Sequence, residues 1–306
     1  MMFSTELALQ EYVICKKKTE NLGFNYGVLT CGACKMFFHR VIFTKKVESY
    51  CKYNQNCTSK CRHCRFQRCI QNGMLYTPIE NLLNANNQDM LSALIFNLSC
   101  LDSNRRDKLF SHHLIGDPTI NELAKAGSLK LEKRPVDYQM DVMEWGYISG
   151  IVSVDYMYKL PLIKSVEVDD RAVIFRYCYF YLSLLADSLR AFNSKKEFIC
   201  FPDGTEVVKL NSPGVTKHFE NKIRCRLAGR VNELNITKEE ISLLSIYTSA
   251  LLQYCLLTYQ KTGPSRFADL LSLFQVVIKT RQDISHHFVI CQLNGPPAGL
   301  KKLFWS

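Results

Sequence analysis

"CGACKMFFHR", residues 31–40, places two cysteines two residues apart directly before a lysine, two phenylalanines and a basic pair. On a helix over residues 31–42, Gly32, Lys35, Met36, His39 and Arg40 share one face, and Ala33, Phe37, Phe38, Val41 and Ile42 take the other. The cysteines would anchor the helix start to a metal, the aromatics would bury, and the basic face would point outward. A tiny module has too little core to hold a helix rigid, so metal and aromatics do it. A helix held this way fits the major groove of DNA, where lysine can donate to guanine O6/N7 and arginine can pin phosphate. The plain alternative is an ordinary solvated basic face.

The charge distribution favours the nucleic-acid reading. The 306-residue chain has a net charge of +11 and a pI near 9.0. Residues 12–76 hold 12 Lys/Arg against two acids, Glu20 and Glu48, so +10 of that charge lies in about a fifth of the chain. Eight of the 14 cysteines fall in the same segment. The start, "MMFSTELALQEYV", lacks the basic and apolar regions of a signal peptide, so an intracellular, reducing compartment is expected, where clustered cysteines read as metal ligands before disulfides.

Cys51, Cys57, Cys61 and Cys64 have the spacing of one tetrahedral zinc site. The residues between them are Lys, Asn, Gln, Arg and His, unsuited to a packed core. The first site is weaker. Cys31 and Cys34 form a half-site and Cys15 a third ligand, but two intervening residues before Cys15 stands Tyr12. Three thiolates plus water would bind zinc less tightly than four.

Further along, "TPIENLLNANNQD" suits a linker and "MLSALIFNLSCL" a helix. From about residue 138, long apolar-periodic segments predict helices of a layered bundle, and "FICFPDGTEVVKL" a short hairpin around Pro202-Asp203-Gly204. The longest uncharged run, residues 241–259, approaches membrane-span length, but Ser, Thr, Gln and Tyr depress its hydropathy, and Thr237 with Glu240 makes a capping box before it. It reads as a buried helix, with no membrane partner expected.

"NYGVLTCGACKMFFHRVI" and "CRHCRFQRCIQNGM" resemble the DNA-binding signature of nuclear hormone receptors over residues 12–76, and "KLPLIKSVEVDDRAVIFR", residues 159–176, resembles their ligand-domain signature. The style is closest to divergent nematode receptors. The resemblance implies a mostly α protein: a two-zinc DNA-binding module at 12–76, a hinge and first helix at 77–137, and an all-helical three-layer ligand-binding domain at 138–306, or from near 85, with a short β-hairpin. It implies zinc on Cys15, Cys31, Cys34, Cys51, Cys57, Cys61 and Cys64, with Cys69 in the core. Recognition would fall to Gly32, Lys35, Met36, His39, Arg40, Arg62, Arg65 and Arg68. The implied partners are DNA, a lipophilic ligand, a homo- or heterodimer partner and coregulators, and the implied location is the nucleus.

The sequence departs from that pattern at Tyr12, in the 15-residue gap between Cys15 and Cys31 and the three-residue gap between Cys57 and Cys61, and at Gly32, where an acidic residue is usual. Coactivator docking in the family uses a lysine three residues before the Leu-Pro proline and a glutamate in the last helix; Tyr158 and Lys302 stand at those places. Two alternatives remain: a receptor-like protein whose first finger is too degenerate to bind DNA and which acts as dimer partner or repressor, and a zinc-stabilised interaction module of RING or LIM type. Catalysis is not expected, since no Ser/His/acid grouping or phosphate loop stands out.

Overall fold

The computed structural model describes residues 14–15, 22–51, 61–77, 88–135, 137–245, 248–294 and 303. They belong to two compact units, one from residues 1–104 with 159–164, the other from 105–158 with 165–306.

The first unit opens with a hairpin. β1 (Leu22–Asn25) pairs antiparallel with β2 (Val28–Cys31), in register Leu22↔Cys31 to Asn25↔Val28. Tyr26 and Gly27 turn it with φ of 53° and 79°, the doubly positive geometry that suits strand twist in a two-residue loop. β2 runs directly into α1 (Gly32–Thr44), which ends on Lys45 in the left-handed region, its N–H donating to Val41 O at 2.8 Å. α2 (Arg62–Gln71) begins after Cys61.

Phe37, Phe38, Val41 and Ile42 of α1 meet Phe66, Cys69 and Ile70 of α2 in one buried core. Phe38 lies 5.0 Å from the Tyr26 ring and 6.4 Å from Phe66. Ala33, expected on the buried side, is exposed because it stands in the first turn, ahead of the contact with α2.

The same unit includes the first part of α3 (Gln88–Ser111). Asn97 is fully buried: its side-chain oxygen accepts from Tyr76 N–H at 2.7 Å and its amide donates to Met74 O at 3.3 Å. Gly73 has φ of 76°, and a Cβ there would stand 2.8 Å from Lys159 Cα, so only glycine fits.

In the second unit α7 (Val168–Asn193) is central. On it pack α4 (Ile120–Ala126), α5 (Val142–Met157), α8 (Lys217–Leu234) and α11 (Gly263–Asn294). α9 (Lys238–Leu244) and α10 (Thr248–Tyr259) lie against α11. The short α6 (Pro161–Ser165) precedes α7. α11 buries Leu270, Leu273, Val277, Ile284 and His287, the three-and-four spacing of a single core stripe. α7 alone among the described helices is long and apolar enough to cross a membrane by length and composition; here it is the core helix of a bundle.

Two elements differ from the sequence expectations. The uncharged run 241–259 is divided between α9 and α10, and Leu252, Leu256 and Leu257 stay exposed on α10, since a helix packed on one side buries one stripe whatever its composition. The hairpin at 198–210 contracts to a single antiparallel bridge, Cys200↔Glu206, closed by Phe201 N–H to Thr205 O at 2.8 Å. Asp203 explains why: its carboxylate accepts from Thr205 N–H at 2.9 Å and from Trp145 Nε1 at 2.8 Å, so the turn is bound to α5 and not to a longer ladder. Beyond the expected hairpin, β3 (His112–His113) pairs with β4 (Glu132–Lys133).

Candidate metal centres and nucleic-acid interface

Six of the seven predicted ligand cysteines gather into two clusters, Cys15-Cys31-Cys34 and Cys51-Cys61-Cys64, with the sulfurs of each within 4.8 Å of one another. Cys57 lies outside the described residues. Cys15 and Cys31 Sγ are 3.9 Å apart, and Cys61 and Cys51 Sγ 4.0 Å. A tetrahedron with zinc–sulfur bonds of about 2.3 Å has sulfur–sulfur edges of about 3.8 Å. Both clusters can therefore hold zinc.

The local sequence dictates this placement. β2 delivers Cys31, the first turn of α1 carries Cys34, and α2 repeats the device with Cys61 just before its start and Cys64 in its first turn. Burial pushes the metal-free Cys34 thiol up to about 12, against the pull of the Arg65 guanidinium. Burial also raises Cys31, but N–H groups and neighbouring thiols more than offset it, and the net shift is downward. Cys69 is fully buried and is not a member of either cluster, and burial pushes its thiol up to about 12, as suits a core thiol.

On α1, Gly32, Lys35, Met36 and Arg40 are exposed, and His39 is half-buried, stacked on Phe43 at 4.5 Å. The α2 arginines separate. Arg62 stays outside, 3.8 Å from Glu48. Arg65 and Arg68 turn inward. Arg65 Nη2 donates to Cys34 Sγ at 3.2 Å and its guanidinium lies 4.5 Å from the Phe37 ring centroid; Arg68 Nε donates to Ile14 O at 2.6 Å. Positions 65 and 68 lie one turn apart on the face of α2 that meets the first cluster. These two side chains supply charge and a clamp to a cluster that has three cysteines, a role the sequence reading missed. Its only trace in the sequence is the arginine directly after Cys64.

In the second unit, α5 and α7 meet in part through small polar groups. Ser153 and Ser183 hydroxyls are 3.0 Å apart, and Ser149 donates to Asp187 at 3.4 Å. Leu303 comes within 2.9 Å of where a Cβ on Gly150 would stand. Tyr158 is buried at the end of α5, and Lys302 lies outside the described residues.

Comparison with known proteins agrees with this geometry. The family model of the double treble clef zinc finger, C4 type, matches residues 10–76. Nuclear hormone receptor family member nhr-167 of Caenorhabditis elegans is 32% identical, covering 96% of this chain and 95% of its own length. Family member nhr-9 of the same nematode is 30% identical over 95% of this chain and 93% of the relative, and nhr-27 is 29% identical over 93% and 88%. A C4 finger module followed by a helical bundle, matched end to end by such relatives, establishes that the chain belongs to the nuclear hormone receptor family.

Proposed function

We propose that this receptor acts in the nucleus as a sequence-specific transcription factor, with no enzymatic activity, reading DNA through α1 while its helical unit carries regulation by a lipophilic ligand, a dimer partner or coregulators. The observation that carries the reading is the outer face of α1: Gly32, Lys35, Met36 and Arg40 are exposed on a helix whose other face is fixed by Phe37, Phe38, Val41 and Ile42. Nearly all the net charge sits in the same module. Arg62 remains outside for phosphate contact, whereas Arg65 and Arg68 serve the first cluster. Binding selection with the full-length protein tests the proposal. Lys35→Ala should change the preferred base at one position, at a cost of about 1–3 kcal/mol for the original site. Arg40→Ala should weaken all sequences alike and reduce the salt slope by about 1. Unchanged DNA affinity in both variants would overturn it.

A second reading is favoured by one observation: among the described residues the first cluster has three thiols, and Tyr12 stands where the family has a cysteine. In that reading the first finger holds no metal and the protein works as a dimer partner or repressor. Native mass spectrometry separates the two. Two zinc ions per chain support DNA reading, and one supports the alternative.

A further inference from the structure

Met74 and Leu75, which follow α2, are fully buried. Their backbone is bonded in two directions. Met74 N–H donates to Cys69 O at 2.9 Å and Leu75 N–H to Tyr26 O at 3.0 Å, which ties the segment to α2 and to the turn between β1 and β2. Tyr76 N–H and Met74 O instead meet the side chain of Asn97 on α3. Buried backbone groups need partners, so the segment is complete only with α3 in place.

The sequence of α3 suits that task. Leu94, Asn97, Leu98 and Leu101 stand at i, i+3, i+4 and i+7, one helical stripe, and all four are fully buried. An asparagine among leucines costs desolvation unless both ends of its amide are bonded, and here residues 74–76 bond both. Beside it on α3, Phe96 stacks on Phe66 of α2 with ring centroids 6.5 Å apart. Nearer the start of α3, Ser92 accepts from Nζ of Lys45, the residue that ends α1.

Residues 159–164 add a second brace. Lys159 is buried, its backbone fills the space where a Cβ on Gly73 would stand, and its Nζ donates to Asn104 Oδ1 of α3 at 2.7 Å. Lys164 Nζ donates to Gly27 O, in the same turn as Tyr26. All of these residues fall in the first compact unit.

We propose that α3 and residues 159–164 form a clasp that belongs to the metal-holding module, and that Asn97 is a positioning residue for metal retention. The route is short. Asn97 fixes residues 74–76, and these fix the end of α2. That helix has Cys61 just before its start, Cys64 in its first turn, and Arg65 against Cys34. Zinc leaves a thiolate cluster when the chain that carries the ligands opens locally, so a clasp that holds α2 in place slows the loss. Chelation, conversely, removes the anchor at the start of α2 and loosens the clasp. The inference concerns metal retention and does not depend on DNA reading.

The test uses the full-length, zinc-loaded protein and an excess of a chromophoric chelator. Asn97→Ala, which removes two buried hydrogen bonds, should release zinc at least about tenfold faster than wild type, with faster hydrogen exchange of amides 69–75. Val277→Ala, also buried but in the second unit, should release zinc at the wild-type rate. Wild-type release by a folded Asn97→Ala protein, or equal acceleration by both variants, would overturn the proposal. Hydrogen exchange on the wild-type protein gives a readout that needs no mutation. After chelation, amides of residues 92–104 should lose protection while those of α8 and α11 keep theirs. Protection of residues 92–104 that is unmoved, or lost in step with α8 and α11, would count decisively against a clasp.

Discussion

Glu240 contributes acid-sensitive stability to the helical unit. It is fully buried, and its carboxylate accepts from Arg266 Nε and Nη2 at 2.7 Å each, from Tyr259 OH at 2.9 Å and from Thr237 N–H at 2.9 Å. Burial alone would raise its pKa, but these donors outweigh it and hold the group below the usual range. The unfolded chain therefore binds a proton at this site at a higher pH than the folded one does. The stabilisation is complete above the unfolded glutamate value of about 4.3 and is lost as pH falls through the folded value. Denaturant unfolding measured against pH should show this acid limb, and Glu240→Gln should flatten it while costing about 3–5 kcal/mol at neutral pH by leaving Arg266 without its charge partner. The capping box at Thr237 and Glu240 was readable from spacing alone. Arg266 was not, because 26 residues separate it from Glu240 and nothing in the intervening pattern singles it out among the chain's arginines.

At the scale of elements, α1 shows how a short helix is made rigid. Its start is tied to the first cysteine cluster and its inner face is fixed by rings, with Phe38 fully buried between Tyr26 and Phe66. Phe38→Ala should destabilise the zinc-loaded first unit by about 3–5 kcal/mol, read as faster hydrogen exchange of α1 amides. Met36→Ala, on the exposed face, should leave that protection within about 0.5 kcal/mol. The division of α1 into an inner and an outer face was legible because a 3.6-residue period is a local property. The sequence also marked where the apolar run 241–259 begins, but its division between α9 and α10 was hidden, since a run apolar on every side carries no phase. The reduction of the expected hairpin to one bridge was hidden for another reason: the Trp145–Asp203 bond joins groups 58 residues apart.

At the scale of the whole molecule, each unit is organised around its own chemistry, the first around two thiol clusters and the second around α7. The signature at 159–176 reads as one motif in sequence, yet residues 159–164 belong to the first unit and 165–176 to the second. Lys164 Nζ donates to Gly27 O at 2.6 Å within the first unit, across 137 residues of chain. By itself the sequence determined the family, the helical class, the thiol clusters and the charged face of α1. Each of these is written in residues a few positions apart, where backbone geometry alone fixes who meets whom. Only the tertiary structure decided that Arg65 and Arg68 turn inward, that Asn97 is a buried clasp, and that α4 packs on α7. Those outcomes depend on which distant surfaces come together, and a one-dimensional pattern gives the types of the side chains but not their partners.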